Sequence, residues 1–202
     1  GGIAIDLSTV GPSTSLKHYK LFAEKKLSYL DAPISGGIEG AEGANLAIMV
    51  GGDRLVFEKV QFIFKKIGQD IQYLGQSGSG NGMKLIIQLN YMCQLVAFFE
   101  GIALGDSLGL KLDDVFEILS RSSARHPTIE KRYDKIRAND LEPRFELRQI
   151  FKDLSLARDL GKEHKLSVAA IEGTIESLSR GINLGFGEKD AVALRTTNKN
   201  SN

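Results

Sequence analysis

Every strand signal in this chain lies before Gly82, and the stretch beyond it reads as helix. In the first part, Ile3–Leu7, Leu27–Pro33, Asn45–Val50 and Ile71–Leu74 are short apolar runs closed by turn residues, as strands are. Between them, Pro12–Lys26 and Leu55–Ile67 have helical spacing. Leu16, Tyr19 and Phe22 lie three apart, and Val56, Val60, Ile63 and Phe64 share one face. Pro12 suits a first helical turn, where its missing N–H costs nothing. Such alternation predicts a parallel-rich sheet covered by helices. After Gly82 the spacing predicts helices over Met83–Leu108, Asp113–Ser122, Leu147–His164 and Val168–Arg180. Gly181–Gly187 closes the last, and Thr196–Asn202 is a polar tail. Asp113 and Asp114 read as helix caps, with Asp114 and Glu117 at capping-box spacing. The expected fold class is α/β followed by all-α, in two domains, 1–78 and 79–202, without an internal repeat.

Charge and composition narrow the function. A formal net charge of +1 gives no electrostatic reason to bind nucleic acid or an anionic membrane. The apolar run Leu85–Leu104 is broken by Gln88, Asn90, Gln94 and Glu100, so no membrane span is expected. The single cysteine, Cys93, excludes an intrachain disulfide, reads as a buried small hydrophobe, and fits a reducing cytoplasmic location. No secretory signal opens the chain. His18, His126 and His164 are too scattered for a metal centre, and no Cys/His spacing suggests one. The opening GGIAID reads as a strand already under way, so further residues are expected before it.

Three stretches hold residues that could carry chemistry. In GQSGSGNGMKLIIQLN, glycines 75, 78, 80 and 82 lead into a helix start, where backbone can approach a ligand and free amides favour an anion. Lys84 follows, where the helix dipole gives a cation little. It is either the solvated edge of the helix or a group aimed at a ligand. Gln88 lies one turn on and Tyr91 two, on the same face. In DAPISGG a strand ends in Ser35, Gly36 and Gly37: a tight turn, or a hydroxyl and amides offered to a carboxylate at a sheet edge. Ser35 has no neighbouring base in sequence and does not read as a nucleophile. In FELRQIFKDLSLARDLGKE, Lys152 and Asp153 sit mid-helix, where charges usually form a solvated face. No dinucleotide fingerprint GxGxxG follows a strand; in GSGNGM the third glycine is misplaced.

Taken in order, IDLSTVGP, DAPISGG, GSGNGMK, FKDLSLA and GFGEKD resemble the motifs of the β-hydroxyacid dehydrogenase family, which spans 3-hydroxyisobutyrate dehydrogenases and semialdehyde reductases. The resemblance covers nearly the whole chain. It implies the C-terminal portion of a Rossmann domain, then a helical domain of the 6-phosphogluconate dehydrogenase type. It implies NAD or NADP as cofactor, a small hydroxy acid or semialdehyde as substrate, and a homodimer or homotetramer. Lys84 matches the catalytic lysine, and Ser35, Gly36 and Gly37 the substrate-binding turn. Thr9 and Lys152 match cofactor contacts, and Phe145 and Asp153 residues lining the cleft. Gln88 stands where the family usually has Asn, and the first Rossmann strand with its phosphate loop has no counterpart. The implied activity is hydride transfer between NAD(P) and a 3-hydroxy acid or semialdehyde, with Lys84 as general acid and base. The alternative is an inactive relative serving as an oligomerisation or binding module.

Overall fold

The structure is a computed structural model that describes residues 1–198. It follows the expected order, α/β then helical. The strands are β1 (Ile3–Asp6), β2 (Ser28–Asp31), β3 (Ile34–Ser35), β4 (Leu46–Gly52) and β5 (Gly68–Gly75). The helices between them are α1 (Pro12–Glu24), α2 (Gly37–Glu42) and α3 (Arg54–Phe64). Then come α4 (Ser79–Ser107), α5 (Leu112–Arg121), α6 (Pro127–Glu130), α7 (Tyr133–Arg137), α8 (Leu147–Glu163), α9 (Ala169–Gly181) and α10 (Leu194–Thr197).

The sheet is mixed rather than simply parallel. β1 pairs parallel with β2, and β4 with β5. β2 and β3 both meet β4 antiparallel, through Leu30↔Gly52 and Ile34↔Ile48. These two pieces form one extended run interrupted at Ala32–Pro33. Pro33 has no N–H to give the ladder, yet its carbonyl accepts from Met49 N–H at 3.1 Å. The sheet side packs Leu30, Ile48, Val50, Phe57, Val60 and Phe64 into a core, with Ile71 and Tyr73 against it. Phe57 stacks on Phe64 and on Tyr73, with ring centroids 6.1 and 5.4 Å apart. Asp53 starts α3 by accepting from Leu55 and Val56 N–H at 2.8 and 3.4 Å.

Two compact units emerge: Gly1–Leu89 with Asp153–Ser167, and Asn90–Lys152 with Val168 onward. The sequence placed its boundary after residue 78; by contacts α4 and α8 each contribute to both units. In the second unit, Met92, Leu95, Val96, Phe99 and Ile102 of α4 are buried, as are Ile136, Ile150, Ile171 and Leu178. α4 is long and apolar enough, by length and composition, to cross a membrane, with a mean hydropathy of 1.4 over an 18-residue window. Its buried positions nonetheless recur every three or four residues, as in a helix with one face in a protein core.

Several local expectations are corrected. α4 begins at Ser79, not Met83, so Gly80 and Gly82 lie inside the helix. α5 is capped at Lys111 without a side-chain bond. Asp113 instead accepts from the Tyr133 hydroxyl and pairs with Arg137 at 3.3 Å. Cys93 is only partly buried, and its sulfur accepts from the Thr174 hydroxyl at 3.3 Å. Thr196 and Thr197 belong to α10, with Thr197 fully buried; 199–202 of the expected tail lie outside the described residues.

Candidate active site

The glycine-rich stretch before Lys84 turns out to be built around a carboxylate of the chain itself. Asp31, at the end of β2, has no exposed surface. Its Oδ1 accepts from Gly78 N–H at 2.7 Å and from the Ser77 hydroxyl at 3.2 Å, and its Oδ2 from Asn81 N–H at 3.0 Å. A helix N-terminus is an anion site, and here Asp31 fills it. Gly80 is required by close approach: a Cβ there would stand 2.3 Å from the Met49 carbonyl oxygen and 2.8 Å from that of Asp31. Gly78 has φ +94°, a region that glycine enters without strain.

Lys84 is one turn beyond Gly80 and only 8% exposed. It is not the solvated edge of a helix start. Burying an ammonium is costly unless it meets a partner, so the surroundings of Lys84 are set by the fold and not by solvent. Gln88, 4% exposed, follows on the same face. Its Nε2 donates to Asp153 Oδ2 at 2.5 Å, and Asp153 is 3% exposed. An ionised carboxylate only accepts, so Asp153 fixes the Gln88 amide with its NH₂ toward α8 and Oε1 turned elsewhere. Tyr91, expected on the same face, belongs to the second unit and accepts from Arg132 at 3.0 Å.

Thr9 lies in the loop between β1 and α1, at the carboxyl end of a parallel strand, where open α/β sheets bind ligands. Asn81, fully buried, holds that loop: its Oδ1 accepts from Val10 N–H, and its Nδ2 donates to Ser15 Oγ, each at 3.0 Å. Asp6 shapes the other side by accepting from Ser8 N–H at 3.0 Å and from the Tyr29 hydroxyl at 2.9 Å. Burial works against the Asp6 charge, but these bonds and nearby His18 outweigh it and hold its carboxyl below the usual value. Burial and the Asp6 charge push the Tyr29 phenol up.

Ser35 ends β3, pairing with Ala47, and Gly36 and Gly37 take φ +141° and +68°. Positive φ at both explains why glycine follows the serine twice. A Cβ on Gly36 would meet Leu46 at 3.1 Å, so this turn rests on its own strand neighbours. Hydrogen bonds thus tie α4 to Asp153 and to the Thr9 loop, whereas the Ser35 turn is held on β4. Phe145 and Lys152 lie in the second unit. Lys152 is exposed, while the adjacent Asp153 is buried. The Phe145 N–H donates to Asp190 Oδ2 at 3.4 Å. Asp190, fully buried, also pairs with Arg132 and caps Ala191–Ala193. Burial opposes the Arg132 charge, but Tyr91 and Asp190 outweigh it and raise the guanidinium.

Sequence reasoning missed Asp31, Asn81 and Asp190. Asp31 had a signal, a carboxylate closing an apolar strand; Asn81 and Asp190 had only their places inside GSGNGMK and GFGEKD. Among the described residues, no group of three His, Cys, Asp or Glu side chains could hold a metal. Asp31 already occupies the α4 N-terminus, and Pro12 removes a donor from that of α1.

Residues 1–75 match the NAD binding domain of 6-phosphogluconate dehydrogenase. Residues 78–196 match the NAD-binding domain of NADP-dependent 3-hydroxyisobutyrate dehydrogenase. The chain is 36% identical over 195 residues to 2-(hydroxymethyl)glutarate dehydrogenase of Eubacterium barkeri, covering 96% of this chain and 65% of that protein. It is 33% identical over 190 residues to glyoxylate/succinic semialdehyde reductase 1 of Arabidopsis thaliana, covering 94% and 66%. The chain therefore spans just under two thirds of the length of these relatives. Its fold superposes on 3-hydroxyisobutyrate dehydrogenase from Salmonella typhimurium with a TM-score of 0.90 at 22% identity, covering 96% of this chain and 68% of that one. With one family domain matched over more than half of the chain, and both halves matching in order, this chain belongs to the β-hydroxyacid dehydrogenase family.

Proposed function

We propose that the full-length protein is an NAD(P)-dependent oxidoreductase that interconverts a small 3-hydroxy acid and the corresponding carbonyl compound. The observation that carries this reading is the burial of Lys84 on the face of α4 that also holds Gln88, locked by Asp153. Bound NAD(P) supplies or accepts the hydride. Lys84 gives a proton to the substrate oxygen in reduction and takes it back in oxidation, and its ammonium stabilises charge developing there. Gln88 offers Oε1 as an acceptor, which suits a hydroxyl hydrogen. The Ser35 hydroxyl and the amides of the following glycines hold the carboxylate. Thr9 meets the nicotinamide end of the cofactor. This arrangement needs no metal.

Steady-state kinetics of the full-length protein over a panel of 3-hydroxy acids and semialdehydes tests the reading. Lys84→Ala should lower kcat by about 10²–10⁴-fold, the usual worth of a general acid or base. Lys84→Arg should recover little, because a guanidinium keeps charge but scarcely gives up a proton. A folded Lys84→Ala protein with near-normal kcat on a good substrate contradicts the assignment.

A further inference from the structure

We propose that Asn81 is a positioning residue that sets the register between the cofactor loop and the helix of Lys84. The inference rests on the reading that the Thr9 loop meets the nicotinamide. Asn81 precedes Lys84 by three residues in α4, so the two side chains lie nearly one turn apart on a rigid element. It is fully buried and touches three separate segments. Its side-chain oxygen takes the Val10 N–H, one residue past Thr9, at 3.0 Å. Its side-chain amide gives a hydrogen to Ser15 Oγ in α1 at 3.0 Å, and its backbone N–H goes to Asp31 Oδ2 at 3.0 Å. Asp31 in turn grips Gly78 and Ser77.

The loop bearing Thr9 has no regular secondary structure at Thr9 or Val10. Its N–H at Val10 finds its acceptor on α4, 71 residues away in sequence. Hydride and proton must arrive at adjacent atoms of one substrate, so the loop that seats the nicotinamide and the helix that carries the lysine need a fixed offset. A misplacement of about 1 Å away from the chemistry can cost about 10²-fold in rate. Asn81 bonds the loop and α1 at once because its amide carries an acceptor and a donor on separate atoms. The longer Gln would move the acceptor by a methylene.

The test compares Asn81→Ala, Asn81→Gln and Ser15→Ala in the full-length protein. Ser15→Ala removes one bond to Asn81 but leaves the Val10 bond intact. Asn81→Ala should weaken NADH or NADPH binding by calorimetry about tenfold, the worth of one lost hydrogen bond that leaves a donor unpaired. The KM for the cofactor should rise with it, the KM for the hydroxy acid should hold, and the Val10 amide should exchange faster with solvent. Asn81→Gln, which keeps a polar group in the buried site, should move the same readings if Asn81→Ala does not fold. Ser15→Ala, which keeps the Val10 bond, should weaken cofactor binding less than Asn81→Ala does. A merely structural Asn81 would lower the melting temperature while cofactor affinity and Val10 exchange stay normal, and that result overturns the proposal. Equal loss of cofactor affinity in Ser15→Ala overturns it too. Failure of the enzyme reading is separately visible as a normal kcat in Lys84→Ala, because the Asn81 arm reads binding rather than turnover.

Discussion

Single residues decide most about this site, and Asp31 shows how. It sits fully buried at a helix start with three donors on its two oxygens. Asp31→Asn would turn an NH₂ toward at least one of those donors and leave it unmatched. The expected cost is about 3 kcal/mol, a fall in Tm of about 10 °C for a chain of this size. Thermal melts check it, and an unchanged Tm contradicts the anchoring role. Asp6 behaves differently because it is partly exposed. Its folded-state carboxyl is held below the unfolded value, so its contribution is complete above the ordinary carboxylate pKa of about 3.9 and is lost as pH falls through the lower folded value. Asp6→Asn should therefore flatten the acid limb of the stability curve below about pH 4. Melts recorded from neutral to acid pH in both proteins decide this, and parallel curves count against it.

At the scale of elements, α4 is the piece on which the site depends. Its first turn lies against the sheet because Gly80 has no side chain, with Met49 and Asp31 carbonyls in the space a Cβ would need. Both near atoms are backbone, which cannot rotate away. Gly80→Ala should then cost about 1–3 kcal/mol by overpacking, against the small gain alanine normally brings inside a helix. Gly101, on the same helix with nothing within 4 Å of its virtual Cβ, is the control. Gly101→Ala should be neutral or stabilising. Denaturant titration of the two variants separates the effects, and equal midpoints would remove the close-approach argument. α8 makes a related point: adjacent residues on a helix lie about 100° apart, so Lys152 is exposed while Asp153 is buried beside Gln88.

For the whole molecule, the unburied side of α4 is the telling feature. Ile86 and Leu104 are 54% and 62% exposed on α4, whose other face is in the core, and Leu108, 68% exposed, follows just past its end. Leu104 and Leu108, with Leu110 52% exposed just beyond them, group large apolar side chains at one end of the helix, the kind of surface that another protein covers. We expect a second copy of the chain to cover it, giving a homodimer or larger assembly in solution. Light scattering tests this, and a monomer at high micromolar concentration speaks against it.

The sequence by itself determined the order of elements and the family. The change from strand to helix spacing near Gly82, the helical phase that puts Gln88 one turn from Lys84, and the five ordered motifs are all local patterns. Periodicity within a dozen neighbours is enough to read them. The tertiary structure alone decided whether Lys84 was solvated or buried, since its surroundings come from distant segments. It also moved the start of α4 back to Ser79, because Asp31, 47 residues before Gly78, supplies acceptors for the first amides. Asp153, 65 residues from Gln88, became a buried partner rather than a solvated charge in the same way. Each of these outcomes depends on a buried polar group finding a partner far along the chain, and no spacing rule within one segment can show that partner.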